Sequence, residues 1–172
     1  EFSAYSLETI NRIDPAFVTR LRDMWGDGAC EFVGCGYMQE IMPLIPLEVN
    51  KVNLGYGNQV YRELLGELPK VGYINEQVYS KSLPLLYHES GYRGLMINWE
   101  SAVSLQSDGD LLYQPCSVSM GPQGNMPIIW QSLDAYRNFQ RYVEREIDLD
   151  DYMGRLLQHV PENGTRSYPI YT

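Results

Sequence analysis

Cysteine and histidine are scarce in this chain, basic residues are outnumbered, and long apolar runs are missing. The three cysteines, Cys30, Cys35 and Cys116, are odd in number and fit neither zinc nor CxxC spacing. They read as buried free thiols in a reducing compartment, which argues against a disulfide scaffold. His88 and His159 stand apart, each in helical sequence without a clustered acid, so both read as surface residues. No metal centre or other cofactor is expected. With 13 basic against 22 acidic residues the net charge is −9. Such a surface repels phosphate backbones and argues against nucleic acid as a partner. No apolar stretch approaches the roughly 20 residues that cross a bilayer, and no signal peptide is visible, so the expected setting is cytoplasmic with no membrane partner.

What is present is enough for one core: 172 residues, 44% of them hydrophobic. The chain lacks an initiator Met, opens on strand-like sequence at Phe2–Ser6, and closes on another strand-like run at Tyr168–Tyr171. It therefore reads as one segment, residues 1–172, of a larger domain. Asp14 as N-cap and Pro15 at the first helical position open a helix, with Phe17, Leu21, Met24 and Trp25 on one face and Gly26–Gly28 closing it. Cys30–Tyr37 reads as a strand, and Val49–Leu65 as a helix ended by Gly66 and Pro69. Gly-, Asp-, Ser- and Pro-rich sequence over Gln106–Asn125 implies a hairpin or irregular loop, an insertion around residues 106–126. Pro127–Gln131 follows as a short strand. Ser132 then opens a helix carrying Leu133, Tyr136, Phe139, Tyr142 and Val143, broken near Asp148 and resuming to His159. Asn163-Gly164-Thr165 matches a glycosylation sequon, a motif too short to carry weight. The alternation of strand and helix predicts an α/β fold with a parallel sheet and helical crossovers.

The chain is organised around Val71–Ser101, VGYINEQVYSKSLPLLYHESGYRGLMINWES. Val71–Asn75 is β-prone and delivers Glu76 to the point where helix signals begin. Ser80 or Ser82 is placed to cap the helix, Pro84 suits its first turn, and Gly91 stops it. Gly94 opens the next strand around Leu95-Met96-Ile97. Residues at the carboxyl ends of parallel strands line the shared pocket, so Glu76 is presented for chemistry.

This stretch resembles the nucleophile segment of glycoside hydrolase family 57, and upstream GACEFVGCGYMQEIMPLIP resembles that family's earlier acidic motif. Order and spacing agree, from about Tyr5 to Ala102. The resemblance implies a parallel (β/α) barrel of the glycoside hydrolase/deacetylase type, incomplete in this chain. It also implies a retaining glycosidase or transglycosylase acting on α-glucans, of the α-amylase, 4-α-glucanotransferase or branching type. Glu76 is then the nucleophile. The partner carboxylic acid, about 5 to 5.5 Å away in retaining enzymes, is implied to lie after Thr172, and the family's first motif before Glu1. The chain alone is expected to be inert. Its expected partners are an oligo- or polysaccharide and the remainder of the catalytic domain, with self-association through unpaired strand edges.

Six further residues are candidates for substrate contact. Glu31, between Cys30 and Phe32 in a strand, would be costly to bury unpaired and so reads as pocket-facing or salt-bridged. Trp99 and Glu100 end the Gly94 strand and, in a parallel sheet, face the same pocket as Glu76; Trp99 suits stacking on a sugar ring and ordinary core packing equally. Asn98-Trp99-Glu100 departs from relatives that carry acids there, and Tyr73-Ile74-Asn75 departs from the tryptophan and proline common before the nucleophile. Tyr37, Tyr73 and Tyr79 flank the two motifs and offer flat apolar faces with polar edges, suited to sugars and equally to half-buried packing. Two alternatives are a carbohydrate-binding relative without catalysis, and a polysaccharide deacetylase or α-mannosidase-like barrel. The latter wants clustered His and Asp ligands.

Overall fold

Two glycines side by side mark the pairing of the first two strands. The computed structural model describes residues 1–101 and 116–158. In chain order these form helices α1 (Ala4–Ile13) and α2 (Pro15–Gly26), strand β1 (Val33–Gly34), helix α3 (Leu47–Leu65), strand β2 (Val71–Tyr73), helix α4 (Leu83–Glu89), strands β3 (Gly94–Asn98), β4 (Cys116–Ser119) and β5 (Asn125–Gln131), and helices α5 (Leu133–Val143) and α6 (Leu149–Leu157). The strands lie in the order β1-β2-β3-β5-β4. β1 pairs with β2, and β2 with β3, in parallel. With α3 and α4 as the crossovers, this is the parallel α/β class predicted from the sequence.

Gly34 stands opposite Gly72 in the β1–β2 register. A Cβ on Gly34 would lie 2.5 Å from the Tyr92 hydroxyl, and one on Gly72 would collide with the Tyr87 ring. The missing side chains leave a slot for these two buried tyrosines, whose rings meet edge to face at 5.2 Å. Tyr87 Oη donates to Tyr73 O at 2.8 Å and Tyr92 Oη to Asn58 Oδ1 at 2.8 Å, so neither buried hydroxyl is orphaned. α4 is thereby fixed over the end of β2.

The chain divides into two compact units, Glu1–Met96 with Ser117–Pro127, and Ile97–Cys116 with Ile128–Thr172. The first is centred on Ala4, Leu7, Val18, Phe32, Val60, Tyr61 and Leu65, where α1, α2 and α3 meet the approach to β1. In the second, Trp99 meets Trp130 edge to face at 5.2 Å, and Tyr142 of α5 stacks on Tyr152 of α6 at 5.2 Å. Among the described residues no helix is long and apolar enough to cross a membrane.

Helix ends follow local chemistry. Asp14 accepts from Phe17 N at 3.0 Å, Ser132 from Ala135 N at 3.3 Å, and Asp148 from Asp151 N at 2.8 Å. Gly66 ends α3 at φ +95°. Other expectations are corrected. Phe2–Ser6 is no strand: Ser3 accepts from Ser6 N at 3.2 Å and caps α1. Cys30–Tyr37 shrinks to the two residues of β1. The buried stripe of α2 runs through Val18, Leu21 and Trp25, leaving Met24 exposed. Ser80 and Ser82 bond one another at 3.0 Å, and α4 has no side-chain cap. Within the expected 106–126 loop, residues 116–119 form β4 and β5 already begins at Asn125. The rest of that loop, and the expected features at His159, Asn163 and Tyr168–Tyr171, lie outside the described residues. His88 is exposed on α4.

Candidate active site

Three anchors hold the end of β2. Ile74 N continues the ladder to Met96 O at 3.3 Å, Tyr73 O receives the Tyr87 hydroxyl, and Asn75 Nδ2 donates to Cys35 O at 3.0 Å, tying the ends of β1 and β2 together. The backbone then turns abruptly. Glu76 has φ +51° and Gln77 φ +56°, two consecutive non-glycine residues in the left-handed region. Each such residue costs of order 1 kcal/mol or more and persists only where the surroundings impose it. The turn leaves the Glu76 side chain exposed at the carboxyl end of β2, with Asn75 buried behind it.

Tyr73 gathers the polar groups beneath this turn. Burial raises its pKa, a hydrogen bond with the Gln77 side chain lowers it, and the charges of Glu1, Cys35 and Glu76 raise it further. Cys35 is fully buried, and its thiol is pushed up to about 12, first by burial and then by Glu1. It is an inert neutral thiol in this setting. The Cys35 amide donates to Tyr61 Oη at 3.2 Å, and that hydroxyl donates to Phe2 O at 2.7 Å. Asn75 Oδ1, directly before Glu76, is enclosed without a hydrogen-bond partner among the described residues.

The loop leaving β1 carries a second carboxylate that sequence reasoning passed over. Glu40 is half-buried, and its Oε2 is enclosed without a hydrogen-bond partner among the described residues. A buried acceptor left unmade costs about 1–3 kcal/mol, and more when charged. Glu40 lies in the same upstream motif as Glu31, nine residues on; the signal available was its position past the strand end.

The remaining candidates divide by environment. Glu31 is exposed and precedes β1, toward the amino end of the strand, so the structure does not bring it to the carboxyl end where Glu76 stands. The burial cost argued for it does not arise. Tyr37 is turned to the helices: its hydroxyl donates to Glu8 Oε2 at 2.9 Å, which raises its pKa, and its ring contacts Tyr5 and Tyr56. Tyr79 is 38% exposed on the segment following Glu76, its pKa raised by partial burial. In the second unit Trp99 is buried against Trp130. Both Glu100 carboxylate oxygens accept from Leu133 N at 3.1 Å, and Oε1 also from Asp134 N at 3.4 Å, placing an anion on the amino end of α5. A shallow cavity of about 640 Å³ at the α5–α6 turn, lined by Tyr142, Arg145, Glu146, Asp148 and Asp151 among others, holds none of these candidates. Among the described residues no group of three or more His, Cys, Asp and Glu could hold a metal ion.

A model of glycosyl hydrolase family 57 matches residues 1–119. No curated protein matches the sequence. Among solved structures, the chain is similar to the 4-α-glucanotransferase of Thermococcus litoralis, with a TM-score of 0.80 and 19% identity over 99% of this chain and 26% of that one. It is similar to the α-amylase AmyC of Thermotoga maritima, with a TM-score of 0.61 and 16% identity over 92% and 34%. The allantoinase PuuE gives a TM-score of 0.61 and 17% identity over 92% and 51%. The chain thus spans about a quarter of the length of the glucanotransferase. At such identities the likeness speaks for the fold, the parallel β/α barrel type of glycoside hydrolases and deacetylases, of which this chain holds part.

Proposed function

Because the chain belongs to glycosyl hydrolase family 57, we propose that it supplies the nucleophile of a retaining α-glucan-active site, with Glu76 in that role. The observation that carries this reading is the exposed Glu76 carboxylate, held in left-handed backbone at the carboxyl end of a parallel strand. Strain imposed by a surrounding scaffold concentrates at sites of chemistry. The Ile74, Tyr73 and Asn75 anchors give that carboxylate a fixed base, which nucleophilic attack requires.

In the first step a Glu76 oxygen attacks the anomeric carbon. The glycosidic C–O bond breaks, a carboxylic acid across the bond protonates the leaving oxygen, and a glycosyl ester forms. In the second step water or another sugar hydroxyl attacks the same carbon, the ester C–O bond breaks, and the former acid takes up the proton. Hydrolysis and transfer differ only in that acceptor. That acid is not assigned to a residue of this chain. The half-buried Glu40 carboxylate is read as accepting a hydroxyl of the bound sugar, and Tyr73 and Tyr79 as flanking the glucan beside Glu76. Trp99 and Glu100, in the second unit, are engaged by Trp130 and the start of α5.

The test is Glu76→Gln in the full-length protein, assayed on maltoheptaose. The amide keeps the shape and loses the ability to form the ester, so turnover is expected to fall by several orders of magnitude with binding retained. Retention of more than a few per cent of turnover overturns the assignment.

A further inference from the structure

Two asparagines on one face of α3 bracket Glu40. Asn50 and Asn53 are three residues apart, and both side chains are more than nine-tenths buried. Asn53 grips Met38, two residues before Glu40, from both sides of the peptide chain: Met38 N donates to Asn53 Oδ1 at 2.8 Å, and Asn53 Nδ2 donates to Met38 O at 3.0 Å. The Asn53 carbonyl also accepts from Tyr37 N at 3.1 Å. Asn50 grips the other side, donating through Nδ2 to Met42 O at 2.8 Å, two residues after Glu40, and to Ile45 O at 3.1 Å.

The helix is brought close enough for this by two glycines. A Cβ on Gly57 would lie 2.5 Å from Gly36 C and Tyr37 N, and one on Gly36, at φ +90°, would lie 2.9 Å from Asn53 Nδ2. Neither position has room for a methyl group. The Glu40 carboxylate thus keeps an enclosed, unpartnered oxygen on a loop whose backbone is bonded on either side of it.

We propose that Asn53 is a positioning residue for Glu40: its two-point grip on Met38 holds the carboxylate where a sugar hydroxyl meets it. This rests on the reading of Glu40 given above. An amide is required because the site needs one donor and one acceptor on the same side chain; aspartate keeps the acceptor and loses the donor, and leucine keeps neither. The neighbouring Asn58 is the natural control, since it makes the same kind of buried bonds, to Ser90 O at 2.7 Å and from the Tyr92 hydroxyl, away from the Glu40 loop.

The experiment is a double-mutant cycle in the full-length protein, reading kcat/KM on maltoheptaose and Tm for Asn53→Ala, Glu40→Ala, the double variant and Asn58→Ala. Asn53→Ala is expected to lower kcat/KM at least tenfold, and to change it less than twofold once Glu40 is already alanine. The Tm drop from Asn53→Ala is expected to be the same in both backgrounds, and Asn58→Ala to lower Tm while leaving kcat/KM within twofold. An equal kinetic loss from Asn53→Ala in both backgrounds overturns the proposal, as does a Tm drop with no kinetic loss. Should Asn53→Ala fail to fold, Asn53→Asp carries the same cycle with the same criteria. If Glu40→Ala alone leaves kcat/KM unchanged, the reading of Glu40 itself fails, an outcome distinct from Glu40 mattering while Asn53 acts additively.

Discussion

The turns that leave β1 and β2 hold their carboxylates by opposite means. The β1 loop is held from outside: α3 reaches it through Asn50 and Asn53, Gly57 and Gly36 make room, and its carboxylate Glu40 is half-buried. The β2 turn is held from within: Asn75 and Ile74 anchor its root, and the chain then bends through two left-handed residues that leave Glu76 exposed. A carboxylate read only as a hydrogen-bond acceptor, like Glu40, can be half-buried on a loop clamped by neighbours. Glu76, proposed to form and release a covalent bond, stands clear of them, and backbone strain positions it without covering it.

The largest effect expected from breaking this comparison is chemical. Glu76→Gln removes the carboxylate proposed as nucleophile and should reduce kcat by several orders of magnitude, measured as product release from maltoheptaose. Gly57→Ala attacks the β1 loop instead. The added methyl meets backbone at 2.5 Å, contact that cannot be relieved by rotating a side chain, and a loss of about 2–3 kcal/mol is expected by urea denaturation.

A third prediction concerns the shared root of the two turns. The Cys35 thiol stays protonated in the fold up to about pH 12, above its ordinary value of 9.0. Between those limits the unfolded chain has lost the proton and the folded chain retains it, so stability falls as pH rises through this window. Tyr61, Tyr87 and Tyr92, whose pKa values are also raised chiefly by burial, add to the decline. Tm should therefore drop progressively above pH 9, and Cys35→Ala should make that drop shallower. The smallest effect sharpens the contrast in strain. Gln77→Gly accepts φ +56° freely, so Tm should hold or rise within about 1 kcal/mol of stability, while kcat falls a few-fold because the Glu76 turn is no longer tightly defined.

How far these features could be read in advance follows their range along the chain. Asp14, Gly66, Ser132 and Asp148 act on backbone groups within four residues, and each was legible as a helix boundary. The presentation of Glu76 was legible for the same reason, as a local switch from strand to helix signals. Ser3 is the exception, a cap concealed by aromatic residues that suited a strand equally well. What stayed hidden depends on distant partners. Asn53 meets Met38 across fifteen residues, and Glu100 meets Leu133 across thirty-three. The register that places Glu31 before β1, and the unpartnered oxygen of Glu40 beyond its end, emerge only once strand ends are known. Tyr87 and Tyr92 could be read as aromatic residues, but the Gly34–Gly72 slot that receives them is a property of the pairing.

The most direct measurement of the central claim is to trap the covalent intermediate. The full-length protein is incubated with a 5-fluoro-α-glucosyl fluoride, which forms the glycosyl ester and slows its breakdown; the protein is then digested and the labelled peptide sequenced by mass spectrometry. The account predicts one glucosyl adduct per chain, on Glu76. An adduct on Glu40, Glu31 or any other carboxylate, with Glu76 unmodified in an active preparation, would contradict it.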